Sequence, residues 1–106
     1  MSFDFSVSKP LRDLVNDPSD YLDKICKRLD MPITGVGNYK KVAKYYKFDM
    51  YTIYRFEESP GSPSEALISA ITAKYPEVTV TMFARAVAKQ TSRWDVADLL
   101  MDFDRK

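Results

Sequence analysis

Ser62-Pro63-Ser64-Glu65-Ala66-Leu67-Ile68-Ser69-Ala70-Ile71 is the stretch that decides the fold. It supplies an N-cap serine, a proline at the first helical position and a glutamate at the third, so the local chemistry dictates where a helix begins. Ala66, Leu67, Ala70 and Ile71 then recur at the spacing of one helical face. The same period appears on either side of it. Val80, Phe83, Ala84 and Val87 follow Thr79, a capping residue; Val96, Leu99, Leu100 and Phe103 follow Ser92, which with Asp95 three residues on makes a variant capping box. Upstream, Leu22, Ile25, Cys26 and Leu29 line one face of a helix that Asp17-Pro18 would start. Asn38 can cap a short helix carrying Tyr39, Val42, Ala43 and Tyr46, and Asp49 another carrying Ile53 and Phe56.

The segments between these helices are brief: Met31 to Gly37, Lys47-Phe48, Ser59 to Gly61 and Tyr75 to Val78. Short connections force antiparallel or sharply crossed neighbours, so an all-α, compact six-helix antiparallel bundle is expected. It would occupy residues 10–106, with a further helical turn at Pro10 to Val15, and residues 1–9 would form an N-terminal arm in which Phe3, Phe5 and Val7 alternate. A chain of 106 residues with 45% apolar and 29% charged side chains closes one core and leaves no room for a second domain.

Sixteen basic and fifteen acidic side chains leave a formal charge of +1. No whole-molecule field therefore draws the protein to nucleic acid or anionic membrane. The start lacks the basic stretch and apolar run of a secretion signal, and no window has the roughly 18 apolar residues of a membrane span. One cysteine, Cys26, and no histidine point to a reducing, cytoplasmic setting and remove the commonest metal ligand and general base.

Nucleophilic chemistry at Cys26 or at any serine would need a base that the chain does not offer in its usual form, and Cys26 lies on an apolar stripe, where a buried structural thiol belongs. Gly35-Val36-Gly37 lacks the third glycine and the preceding strand of a phosphate loop and reads as a turn. No enzyme, cofactor or metal is expected. Asp95, Asp98 and Asp102 fall on the wet side of the last helix, where a solvated face is the default and a surface for a basic partner the alternative. Lys40, Lys41, Lys44 and Lys47 form the clearest patch, four lysines with no acid between Met31 and Phe48. An ordinary solubilising face and a docking surface both fit it. Residues 38–57 can also be laid onto a helix-turn-helix that binds DNA. Against that, Glu57 and Glu58 end its second helix, only Arg55 could reach a base, and the net charge is too low for phosphate-driven affinity.

The order of these features resembles the death-domain family, whose members carry an aromatic before an xxLA step in the second helix, Ser-Pro at the fourth, Thr-Val at the fifth and Arg-x-Asp-Val at the sixth. Here those marks are Tyr39 with Val42-Ala43, Ser62-Pro63, Thr79-Val80 and Arg93-Trp94-Asp95-Val96, spread from about Leu11 to Phe103. Leu11 to Asp30, Asn38-Tyr39 and Glu58 to Pro63 look most like adaptors of the ectodysplasin-receptor type. Tyr39 departs from the usual Trp, and Lys47 stands where a glycine commonly ends the second helix. The resemblance implies a Greek-key-like death fold and a non-enzymatic adaptor in cytoplasmic apoptotic, innate-immune or NF-κB signalling. It would bind other death-fold domains, with self-association as a further option, through Lys40, Lys41, Lys44 and Arg55 on one side and Asp95, Asp98 and Asp102 on another.

Overall fold

The computed structural model describes residues 8–17, 19–31 and 38–105. Among them the chain is all-helical, with seven helices: α1 (Leu11–Asn16), α2 (Tyr21–Asp30), α3 (Tyr39–Tyr45), α4 (Met50–Glu57), α5 (Pro63–Lys74), α6 (Val80–Thr91) and α7 (Trp94–Asp104). Four of the expected caps are in place, because a cap needs only a short side chain and an N–H two or three residues away. Asn38 Oδ1 accepts from Lys40 N at 3.1 Å, Asp49 Oδ1 from Thr52 N at 2.8 Å, Ser62 Oγ from Glu65 N at 3.3 Å and Thr79 Oγ1 from Met82 N at 3.2 Å.

Two starts differ from expectation. The helix assigned to Asp17-Pro18 begins instead at Tyr21; Asp17 Oδ2 accepts from the backbone N–H of Ser19 at 3.2 Å, and this local turn holds the carboxylate outside the helix. Pro18 lies outside the described residues. Ser92 does not cap α7. It ends α6 in the left-handed conformation (φ 57°), donates its N–H to Ala88 O at 3.1 Å, and leaves Arg93 at the start of α7.

Helix α6 runs through the middle and buries Val80, Phe83, Ala84, Ala86, Val87 and Ala88. It packs on α7, α3 and α1, while α5 packs on α2, α1, α4 and α3. In α5 Leu67, Ile68 and Ile71 are fully buried and Ala66 and Ala70 only partly, so its inner face is centred one residue from where its alanines pointed. In α7 Val96, Leu100 and Phe103 are buried and Leu99 lies at the margin. The radius of gyration, 12.7 Å, is close to the roughly 13 Å of a compact 100-residue domain.

Ser8 and Lys9 join both ends of the chain to α6. The first N–H groups of a helix have no partner within it. Here Val80 N donates to Lys9 O at 2.8 Å and Thr81 N to Ser8 Oγ at 3.0 Å, while Asp104 accepts from Lys9 N at 2.8 Å and from Thr81 Oγ1 at 3.1 Å. The rest of the arm expected over residues 1–9 lies outside the described residues, as does Gly35-Val36-Gly37.

Candidate functional site

Helix α3 turns Tyr39, Val42 and Ala43 inward, with Tyr46 just past its end, and leaves Lys40, Lys41 and Lys44 in solvent. The three lysines are not equivalent. Lys40 Nζ lies 2.9 Å from Glu57 Oε1, and the Tyr39 hydroxyl donates to the same oxygen at 2.8 Å. The Lys40 ammonium, ahead of the Tyr39 hydroxyl, holds the Glu57 carboxyl below its usual range; burial, ahead of Glu57, pushes the Tyr39 phenol up. Lys40 is thus spent on joining α3 to α4, whereas Lys41 and Lys44 make no ion pair among the described residues.

Helix α4 buries Ile53 and Phe56 and exposes Met50 (53%), Tyr51 (72%) and Tyr54 (59%). A crevice of about 40 Å³ lies between Lys40, Met50, Ile53, Tyr54 and Glu57. Arg55, also exposed, is not among its lining residues.

The acids of α7 separate in the same way. The Arg93 guanidinium, 7% exposed, grips Asp95 through Nε–Oδ1 (3.2 Å) and Nη2–Oδ2 (3.1 Å), and its Nη1 donates to Arg28 O at 2.8 Å. Arg28 Nε lies 3.9 Å from the same carboxylate. Hydrogen bonding from Arg93 keeps the Asp95 carboxyl below the usual carboxylate range. Asp95 therefore fastens the start of α7 to the end of α2. Asp98 is exposed without an ion pair among the described residues, and Asp102 lies 3.7 Å from Arg105. On the same stripe, four residues before Asp98, Trp94 is 64% exposed.

Two features escaped the sequence. Asp30, the last residue of α2, binds the start of α5: Oδ1 accepts from Ser64 N at 2.9 Å and from the Ser64 hydroxyl, and Oδ2 from the Ser62 hydroxyl. The second is a groove of about 510 Å³ between the end of α3 and the outer face of α6, lined by Tyr45, Tyr46, Met82, Arg85, Ala86 and Lys89. Its α6 residues follow a helical stripe that is visible in the sequence, but nothing there says that α3 flanks it.

Cys26 is buried on α2, and burial, followed by the nearby charge of Asp30, pushes its thiol up to about 12. It is protonated and poorly nucleophilic at neutral pH. Among the described residues no group of three Cys, Asp or Glu side chains could hold a metal ion, and no helix is long and apolar enough to cross a membrane. Comparison of the chain with protein-family models, with curated proteins and with solved structures gives no match.

Proposed function

We propose that this chain is a protein-docking domain of the death-fold kind, an adaptor that binds other death-fold domains in cytoplasmic signalling of the apoptotic, innate-immune or NF-κB type. The observation that carries this reading is the outward face of α4, where Met50, Tyr51 and Tyr54 stand in solvent and Met50 and Tyr54 share a crevice with Lys40 of α3, the helix that also exposes Lys41 and Lys44. Aromatic side chains and methionine are enriched in the cores of protein interfaces, and a cationic border steers an acidic partner onto them. The order of helices supports the same assignment: α2 to α7 run in the order expected of its first to sixth helices, with α1 as the further turn before them.

Within this assignment Lys41 and Lys44 supply the positive charge of one surface and Asp98 and Asp102 the negative charge of another, while Lys40 and Asp95 chiefly hold helices together. The test is binding of the purified chain to a panel of receptor and adaptor death domains, read by calorimetry. At least one should bind, and Lys41→Glu/Lys44→Glu should weaken that complex at least about tenfold without changing helicity or melting, since exposed charges add little to stability. Undiminished affinity in the double variant would remove the basic surface from the interface. Salt-sensitive binding of duplex DNA, with no protein in the panel bound, would replace this assignment by a helix-turn-helix using residues 38–57.

A further inference from the structure

We infer that the groove between α3 and α6 receives the Trp94–Asp98–Asp102 stripe of α7 from a second copy of this chain. The inference rests on the homotypic docking proposed above and names the surfaces that meet. The groove offers Met82, then Arg85 with Ala86, then Lys89, successive turns of one helix face, with Tyr45 and Tyr46 closing its other side. The α7 stripe offers Trp94, Asp98 and Asp102, again one turn apart.

A helix rises about 1.5 Å per residue, so Trp94 to Asp98 to Asp102 advances by about 6 Å at each step and Met82 to Arg85 to Lys89 by about 4.5 Å and then about 6 Å, close enough for one side chain to meet one side chain at each turn. Laid parallel, the two faces match in order: the indole of Trp94 against Met82 and Tyr45, Asp98 against Arg85, and Asp102 against Lys89. A thioether against an aromatic ring is a favourable contact, and an indole buries roughly 150–250 Å² on docking. Opposite charges one turn behind it fix the register. Among the described residues Trp94 is the most exposed large hydrophobic residue after Tyr51, at 64% against 72%. Because the giving and receiving surfaces differ, the contact is heterologous and joins copies head to tail.

Trp94 is the only tryptophan in the chain, so its emission reports the contact directly. Sedimentation velocity and tryptophan fluorescence would be recorded together across a concentration series, at low and high salt. The wild-type chain is expected to self-associate with a blue shift that salt reverses. Met82→Glu/Lys89→Glu should weaken association at least about tenfold and abolish the shift, and its helicity should stay close to wild type because a glutamate at position 82, the third residue of α6 and a favourable capping-box site, offsets the loss of Lys89 from the last turn. Trp94→Ala/Asp98→Ala is silent in fluorescence and should also be monomeric. Mixing the two variants leaves one intact groove and one intact stripe, so a dimer should form and the shift return. Association of the wild-type chain with no change in emission would overturn this contact while leaving homotypic docking in place. A wild-type chain that stays monomeric at the highest concentration would overturn a second copy as the occupant, and binding to the panel of death domains would then decide the docking assignment separately. A groove variant that still associates with a full blue shift would place Trp94 against some other surface.

Discussion

Lys47 is the residue whose replacement should most clearly stabilise this protein. It follows the end of α3 with φ 68°, in the left-handed region. Its N–H donates to Lys44 O at 3.0 Å and that of Phe48 to Ala43 O at 3.1 Å, the paired bonds of a Schellman motif, whose left-handed position is usually glycine. For a residue with a Cβ this conformation costs about 1–2 kcal/mol. Glycine removes that cost but gives the unfolded chain more freedom, a penalty of about 0.4–1 kcal/mol. Lys47→Gly should therefore stabilise by about 0.5–1 kcal/mol and raise the melting temperature by roughly 2–8 °C. Lys47 is exposed, so Lys47→Ala, which removes the side chain and keeps the Cβ, should stay within about 0.5 kcal/mol of wild type. Lys44→Gly, three residues earlier in helical backbone, should instead destabilise by about 1 kcal/mol. Urea denaturation followed by circular dichroism measures all three. If Lys47→Gly is neutral or destabilising while Lys47→Ala is neutral, strain at this turn is not what limits α3.

Phe83 is fully buried in α6, and Phe83→Ala should cost about 3–5 kcal/mol in the same denaturation assay, whereas a change under about 0.5 kcal/mol would mean that α6 faces another way. Asp30→Ala should destabilise by about 2 kcal/mol, because it strips the acceptor from the start of α5 and leaves the fully buried Ser64 hydroxyl unpaired; Asp30→Asn, which keeps one acceptor, should lose less, and no loss in Asp30→Ala would show that the bonds to Asp30 are immaterial. The Asp95 carboxyl is held below its ordinary value of 3.8, so its contribution is complete above that pH and is lost as pH falls through the lower folded value. Asp95→Asn should accordingly be less stable than wild type at neutral pH and show a shallower loss below about pH 4; acid unfolding curves that run parallel would refute the Arg93–Asp95 linkage.

What the sequence determined by itself is local. Asn38, Asp49, Ser62 and Thr79 each bind an N–H two or three residues on, and the apolar stripes of α2, α3, α6 and α7 repeat within a few turns, so short-range chemistry alone places them. Ser92 shows where that logic ends. Its serine-to-aspartate spacing fits a capping box, but α6 continues to Thr91 and turns back through Ser92, because burying Ala88 and Thr91 against the rest of the molecule outweighs an early start for α7. The tertiary structure alone decided which charges remain available. Lys40 meets Glu57 17 residues away, Arg93 reaches the carbonyl of Arg28 across 65 residues, and Asp30 reaches Ser64 across 34. Such partners depend on how helices cross, which side-chain spacing does not encode. The α3–α6 groove has the same origin: each of its walls is an unremarkable helix face until packing brings the two together.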